Sequence, residues 1–196
     1  MPLEYEPSPS SGPLSQGEIL AEVWEHRSLS AASSVGEEQG TEIESLLHPL
    51  VIVMTADCDL EQDFNTRFSS ERPSKSSDIV RHDYRHPALL PHILLCDMYE
   101  EQDIRTRLPT GSEVWRRIRQ NQNERYHHLH GVTQGSREIP PDLYLDFKKT
   151  FALPTESVYM AVQADAVARR GVMPPIYIHD LMHRFYGFLS RVGLPD

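Results

Sequence analysis

The apolar run LVIVM at residues 50–54 constrains the fold of this chain more than any other segment. Three of its five residues are β-branched, and it lies between Pro49 and Asp57. β-branched residues favour strands, and a strand that is apolar on both faces is usually covered on both sides. Residues 46–58 are therefore predicted to form a central strand with structure packed on both of its faces.

Hydrophobic periodicity predicts the other elements, with a period of two for strands and 3.6 for helices. The predicted strands are residues 16–26, 93–99, 126–129 and 143–154, and the predicted helices are residues 111–123 and 176–195. A short helix stays open as an alternative for residues 16–26. Ser112 as N-cap and Glu113 in the first turn mark the start of an Arg-rich helix. Together these elements predict an α+β fold.

The length of the chain fits one globular domain, residues 14–196, behind a disordered arm of residues 1–13. At 196 residues the chain can bury a sizeable core, and 39% of its residues are hydrophobic. The arm is rich in Pro and Ser, which is typical of disorder. Residues 68–91 contain three prolines and few apolar side chains, so they are predicted to be an inserted loop.

The net charge, the apolar segments and the cysteine content exclude several classes of protein. The net charge is −10, whereas a protein that binds DNA over its whole surface is strongly positive. No apolar run reaches the ~18 residues of a membrane span, and the first residues lack the basic and apolar regions of a signal peptide. Cys58 and Cys96 are too few for a disulfide framework and lack the spacing of a metal knuckle. We therefore expect a cytoplasmic protein without a membrane partner.

Three short motifs occur in an order that resembles the MazF/PemK toxin family. GEI at residues 17–19 is similar to an opening strand, PLVI at residues 49–52 to a second strand, and LDFKKT at residues 145–150 to a late strand. The chain also resembles uncharacterised bacterial proteins in which Cys-Asp-Leu follows a strand, here residues 58–60. The toxin resemblance implies a small SH3-like β-barrel and an activity on RNA. The inserted loop, the Arg-rich helix and the C-terminal amphipathic helix would be additions to that barrel.

The sequence departs from the toxin pattern at two positions. This chain has His48 where the family has an Arg before the Pro of the second strand. No Ser or Thr matches the family's residue at the end of the third strand, after Tyr99. The resemblance therefore implies the barrel more directly than it implies the family's catalytic residues.

Asp57 and Asp59 flank Cys58 at the end of the predicted central strand. Because side chains alternate along a strand, the two carboxylates are expected to share one face and Cys58 to point to the other. Such a pair can act as acid and base or hold a divalent cation, although no cofactor and no metal ligand are assigned. It can equally cap the following turn, and a nucleophilic Cys58 would need a cation brought from elsewhere.

The segment ERYHHLHG at residues 124–131 contains three histidines close together. His128 and His130 share a face if the segment is extended. Histidine titrates near neutral pH and transfers protons, so both are candidate catalytic residues. A solvated surface turn with a structural role is the alternative for them.

The Arg-rich helix and the residues after it bring together Arg116, Arg117, Arg119 and Arg125. Guanidinium groups, together with the amide side chains at residues 121–123, suit phosphates and base edges. They can also pair with Glu and Asp of the same protein or dock an acidic partner.

These clusters predict a bacterial toxin- or defence-associated module that acts on RNA or a nucleotide, with ribonuclease activity as the specific form. In this hypothesis the arginines hold phosphate, His128 or His130 transfers protons, and Asp57 and Asp59 position water or a cation. It requires the acidic strand end and the histidine-rich segment to converge on one hollow. The alternative is a non-enzymatic interaction module whose C-terminal helix docks on a partner subunit.

Overall fold

A computed structural model describes residues 4–30, 41–68, 86–108, 111–130 and 139–191. The six strands are β1 (Glu18–Ser30), β2 (Thr41–Val53), β3 (His92–Glu100), β4 (Tyr126–Leu129), β5 (Leu143–Pro154) and β6 (Ala168–Val172). The five helices are α1 (Asp57–Phe68), α2 (Glu101–Arg107), α3 (Ser112–Arg119), α4 (Thr155–Gln163) and α5 (Pro175–Leu189).

The strands form one antiparallel sheet in the order β4-β5-β3-β2-β1-β6. The predicted α+β class is therefore confirmed. Within the described residues β4 and β6 are the two edges of the sheet and do not pair with each other. The sheet is thus open, and the closed SH3-like barrel that the toxin resemblance implies is not confirmed.

The predicted central strand is confirmed in its apolar part and wrong at its end. Val51, Ile52 and Val53 are completely buried in the middle of the sheet. β2 stops at Val53, however, and α1 begins at Asp57. Acidic residues in a first turn favour helix formation, because the N-terminal end of a helix carries partial positive charge.

Two apolar layers cover the two faces of the sheet. On one face Ile52 and Phe147 pack against α5, whose Leu181 and Phe185 are buried. On the other face Val51 packs with residues of α1 and α4. The apolar stripe of the C-terminal helix is thus covered by the chain's own sheet, and the exposed apolar residues of α5 are Ile176, Tyr186 and Leu189.

A third apolar cluster holds α2 and α3 against the β4 end of the sheet. Ile104 of α2 and Trp115 and Ile118 of α3 pack with Tyr126 and Tyr144. The predicted Arg-rich helix is confirmed, but its predicted N-cap is wrong, because Gly111 is the N-cap and Ser112 is the first residue of the helix. The contacts of Trp115 and Ile118 turn the arginines of α3 outward.

β1 and β2 extend beyond their neighbours as a two-stranded ribbon. β6 pairs only with residues 18–21 of β1, and β3 pairs only with residues 51–53 of β2. β1 and β2 stay paired from Val23 and His48 out to Ser30 and Thr41. Half of the Trp24 side chain is exposed on this ribbon.

The described part of the predicted N-terminal arm lies against β6. Tyr5 is buried in the core, and Glu6 exchanges two backbone hydrogen bonds with Val172, at 2.9 and 2.8 Å. Arg169 donates to the carbonyl of Pro13 and pairs with the buried Glu18. Residues 4–13 are therefore placed on the domain rather than away from it.

The predicted inserted loop lies mostly outside the described residues. The chain is described again from residue 86, and Leu90 donates its N–H to Asp63 of α1 at 2.8 Å. The side chain of Asp63 is completely buried and pairs with Arg67. None of the helices described here is long and apolar enough to cross a membrane.

Candidate functional site

The predicted acidic pair lies in the first turn of α1. Asp57 Oδ1 accepts a hydrogen bond from the backbone N–H of Gln16 at 2.6 Å. Successive residues of a helix point about 100° apart, so Asp57, Cys58 and Asp59 do not alternate as in a strand. All three are exposed. No group of three metal-binding side chains occurs in the described part of the chain. The contact of Asp57 supports the structural interpretation of this residue.

The candidate His128 is a buried residue of β4 that joins this strand to α3. Its Nδ1 lies 3.0 Å from the carbonyl oxygen of Arg119, and its Nε2 lies 3.1 Å from Asp142 Oδ1. Because a carbonyl only accepts, Nδ1 carries a proton. The ring stacks on Tyr144 with centroids 4.4 Å apart. Both ring nitrogens of His128 are therefore hydrogen-bonded. His130 is exposed, and its ring meets the ring of His128 edge-on.

His127 points away from His128 and is buried against α5. Its Nδ1 accepts a hydrogen bond of 3.0 Å from Nε of Arg184. Burial lowers the pKa of His127 to about 3, and the positive charge of Arg184 acts in the same direction. His127 is therefore a neutral structural acceptor.

His127 is expected to make the free energy of unfolding fall as the pH drops below 6.5, its ordinary pKa. Between that pH and about 3 the unfolded chain binds a proton that the folded protein does not, so stability decreases with acidification. This proton uptake lowers the free energy of unfolding by about 2 kcal/mol between pH ~7 and pH ~5. Urea unfolding at the two pH values should show this difference in the natural protein and not in His127→Gln. His179→Gln, a change of an exposed histidine, should keep it, and equal pH dependence in all three proteins would contradict the assignment.

Two of the four predicted phosphate-binding arginines pair with carboxylates of the same chain. Arg116 forms a 2.7 Å ion pair with Glu113 of the same helix. Arg125 places both arms of its guanidinium on Asp146, with Nε to Oδ1 at 2.7 Å and Nη2 to Oδ2 at 2.5 Å. Arg117 reaches a backbone carbonyl at 3.4 Å. Arg116 and Arg125 therefore pair with carboxylates of the same chain, which was the alternative to phosphate binding. The backbone carbonyl of Arg119 accepts a hydrogen bond from His128.

The acidic pair and the histidine-rich segment do not converge. Asp57 follows the end of β2, beside Leu95 near the start of β3. His130 follows Leu129, the last residue of β4. Leu129 pairs with Leu143 of β5, and Leu143 pairs in turn with Glu100 at the end of β3. Five residues along a strand and three strand spacings across the sheet separate the two positions by about 20 Å. The predicted common hollow is therefore wrong.

The structure brings together another set of polar side chains, which we name the carboxylate–histidine network. It consists of Glu25, His48, Asp97 and Tyr99. His48 Nδ1 lies 2.5 Å from Asp97 Oδ1, and His48 Nε2 lies 3.3 Å from Glu25 Oε2. Tyr99 donates its hydroxyl proton to Asp97 Oδ2 at 2.9 Å. His48 is 5% exposed, and its ring stacks on Phe151 with centroids 4.0 Å apart.

This network has the chemistry of an acid–base pair. Both ring nitrogens of His48 face carboxylates, so both bonds form together only when each nitrogen carries a proton. The pKa of Glu25 is lowered, chiefly by its hydrogen bond with Arg27 at 2.7 Å. Among the described residues, Glu25 Oε1 has no hydrogen-bond partner. An ionised carboxylate oxygen able to accept a proton thus lies beside a histidine able to donate one.

A basic hollow of about 500 Å³ lies between α2, β4 and β5. Its lining includes Tyr99, Arg107, Arg125, Tyr126, Asp146 and Lys149. The guanidinium carbon of Arg107 lies 4.4 Å from the centre of the Tyr99 ring. In the described residues Asp146 pairs with Arg125, and no carboxylate forms an ion pair with Arg107 or Lys149. The hollow therefore contains Arg107 and Lys149, which form no ion pair with a carboxylate of the described residues, beside two tyrosines.

Tyr99 joins the basic hollow to the carboxylate–histidine network. Its ring lines the hollow, and its hydroxyl binds Asp97, which in turn holds His48. Burial raises the pKa of Tyr99, and the charge of Asp97 raises it further, so the hydroxyl keeps its proton and its hydrogen bond. Tyr99 and Asp97 thus form a hydrogen-bonded link between the hollow and the largely buried pair of Glu25 and His48.

The sequence contained a weak signal for this site. Asp97 and Tyr99 alternate along β3, which places both on one face. Nothing local connects them, because His48 and its partners Glu25 and Asp97 are 23 and 49 residues apart along the chain.

No protein-family model matches this chain, and no curated protein matches it either. Its function is therefore argued from the geometry of the site.

Proposed function

We propose that the protein acts on RNA or a nucleotide, with phosphate held in the basic hollow and protons transferred by Glu25 and His48. The observation that supports this proposal is the hydrogen-bonded connection through Tyr99 and Asp97. Tyr99 lines the hollow, and its hydroxyl binds Asp97, which holds His48 next to Glu25. Anion binding and proton transfer are the two requirements of phosphodiester cleavage.

The basic hollow supplies the positive charge that a phosphate requires. Arg107 and Lys149 are exposed and supply positive charge for the phosphate. The guanidinium of Arg107 covers the ring of Tyr99, and Tyr126 is only 3% exposed, so the two rings form the wall of the hollow. The net charge of −10 does not oppose local binding, because a small basic site can focus an anionic ligand.

The acid–base pair suits cleavage of an RNA strand without a metal. Glu25 accepts the proton of the ribose 2′-hydroxyl, and the 2′-oxygen attacks the phosphorus. The bond from phosphorus to the 5′-oxygen breaks as His48 Nε2–H protonates that leaving oxygen. The products are a 2′,3′-cyclic phosphate and a 5′-hydroxyl. Asp97 is a positioning residue here, because it holds the other nitrogen of the imidazole.

The resemblance to the MazF/PemK family supports the same substrate class. His48 stands in the position of the family's Arg, which is consistent with a different catalytic group on a related arrangement of strands. A bacterial toxin- or defence-associated role is proposed on this resemblance alone. In this proposal Glu25 and His48 transfer the protons, in place of the predicted Asp57, Asp59, His128 and His130.

The double variant Arg107→Ala, Lys149→Ala is expected to bind a fluorescent single-stranded RNA at least about tenfold more weakly, since each charge-assisted hydrogen bond contributes ~1.5 kcal/mol or more. Fluorescence anisotropy over a series of salt concentrations would measure this. The slope of log affinity against log salt concentration should also become less steep by about 1.4, or ~0.7 for each lost phosphate contact.

Lys148→Ala is the matched control, because Lys148 is the exposed neighbour of Lys149 on β5 and does not line the hollow. Equal losses in the control and the double variant would place the binding elsewhere. If the natural protein binds neither RNA nor nucleotides, the non-enzymatic interaction module is the remaining hypothesis.

A further inference from the structure

The strand β1 extends beyond its neighbour β6 and has an open edge there. β6 pairs with β1 only as far as Ala21, whereas β1 stays paired with β2 out to Ser30. In the described residues no strand lies on the other side of residues 23–30. An open edge presents unpaired backbone donors and acceptors to which a further strand can add. The side chains along this edge determine which strand can do so.

Glu25 and Arg27 are the two oppositely charged residues of this edge. They lie two residues apart on β1, so they point to the same face, and Arg27 Nη2 lies 2.7 Å from Glu25 Oε2. Side chains directly opposite each other on neighbouring antiparallel strands lie ~5 Å apart, and like charges at such positions are destabilising. The charges of Glu25 and Arg27 therefore restrict the strands, and the registers, that this edge accepts.

One register of two identical β1 strands pairs these opposite charges. If a two-fold axis passes through His26, Glu25 of each copy lies opposite Arg27 of the other, because a two-fold interface brings the same residues together twice. An axis at residue 25 would place two glutamates opposite each other, and an axis at residue 27 would place two arginines opposite each other. Of these three registers, the edge is self-complementary in the one centred on His26.

The same register covers apolar side chains on the other face of the ribbon. Trp24 and Ser28 share that face with Ile43, which pairs with Ser28. Trp24 is 50% exposed and Ile43 is 66% exposed. With the axis at His26, Trp24 of one copy lies opposite Ser28 of the other, whose small side chain leaves the indole room to extend toward Ile43. Tryptophan is among the residues that contribute most to binding at interfaces.

We infer that the protein forms a symmetric dimer in which two β1 strands pair antiparallel about His26 and join the two sheets into one. Arg27 pairs with Glu44 across the ribbon, so it would lie between that carboxylate and Glu25 of the second copy. Because Glu25 contacts His48, the second copy's Arg27 adds a cation to the carboxylate–histidine network. The inference rests on strand geometry and does not depend on the proposed action on RNA.

Analytical ultracentrifugation over a series of protein concentrations tests the dimer. We expect the natural protein to reach twice the 22.5 kDa of one chain. Arg27→Glu should weaken this association at least about tenfold, because each dimer contains the altered pair twice. Arg105→Glu is the matched control and should associate like the natural protein. Arg105 is 53% exposed and pairs with Glu101 at 2.7 Å, whereas Arg27 is 49% exposed and pairs with Glu25 at 2.7 Å.

A mixture of two variants tests the register. Glu25→Lys and Arg27→Glu each place like charges opposite one another in a dimer of identical chains, so neither should associate alone. An equal mixture of the two should restore association, because every altered side chain then lies opposite a charge of the other sign. In the natural protein, hydrogen exchange at the backbone amides of residues 24–28 should slow as the protein concentration rises.

Four results would overturn the inference. The natural protein could sediment as a single chain at every concentration. Arg27→Glu and Arg105→Glu could weaken association equally, which would indicate a general effect of charge. The mixture could fail to associate although thermal unfolding shows that both variants are folded. Association without slower exchange at residues 24–28 would place the interface on another surface.

Discussion

His48→Asn is expected to slow RNA cleavage by about two to four orders of magnitude, the usual contribution of a general acid or base. Asparagine keeps an N–H donor for Asp97 but cannot protonate the leaving 5′-oxygen. The loss should therefore come from chemistry and not from an unpaired carboxylate. The measurement is the cleavage rate of a fluorescent RNA in the presence of a metal chelator, with analysis of the ends for 2′,3′-cyclic phosphate.

His26→Asn is the matched control for this experiment. His26 is an exposed histidine of the same ribbon, and its Nδ1 meets Ser45 Oγ at 2.9 Å. We expect it to cleave like the natural protein, whereas Glu25→Gln should lose activity to a degree similar to His48→Asn. Thermal unfolding would verify that each variant is folded. Normal cleavage by His48→Asn together with loss in Asp59→Asn would restore the acidic pair of α1 as the site.

Arg184→Met is expected to lower the free energy of unfolding by about 3 kcal/mol or more, since each buried acceptor left unsatisfied costs ~1–3 kcal/mol. Arg184 of α5 donates to the carbonyl oxygens of Asn121, Asn123 and Tyr126 and to His127 Nδ1. The contacts with Asn123 and Tyr126 measure 2.7 and 2.9 Å. Methionine fills a similar space but donates no hydrogen bond to any of them.

Arg191→Met is the control, because Arg191 is more exposed and its contact with Glu124 is long, at 3.6 Å. Exposed ion pairs contribute ~0–1 kcal/mol, so this variant should unfold at nearly the natural urea concentration. Equal stability of the two variants would contradict the role given to Arg184. Arg184→Met should also weaken RNA binding, since residues 121–126 lead into Arg125 and Tyr126 of the basic hollow.

Local patterns predicted the elements whose character depends only on neighbouring residues. The buried β2 core at residues 51–53, the presence of α3 and the amphipathic α5 each followed from the hydrophobic pattern, whereas the predicted cap at Ser112 was wrong because Gly111 is the N-cap. The end of β2 was predicted wrongly because an apolar run was extended into acidic residues. Asp57 and Asp59 are equally suited to the first turn of a helix, and that signal was present in the sequence.

The candidate site could not be predicted in the same way. The three histidines at residues 127–130 were recognised as a cluster, but His127 accepts from Arg184, His128 binds the carbonyl of Arg119, and His130 is exposed. Arg184, which organises that region, has partners 57 to 63 residues away. Contacts of this kind depend on how α5 lies across the sheet, and no local pattern records that.

The amino-acid sequence by itself determined the α+β composition, the buried middle of β2 and the positions of most elements, because propensity and periodicity act between neighbours. Only the tertiary structure decided which polar groups meet. Strand register set His48 between Glu25 and Asp97 and moved the acidic turn of α1 about 20 Å away from the histidines. Register and helix packing arise from the fit of the whole core, so they join residues that no short stretch of sequence connects.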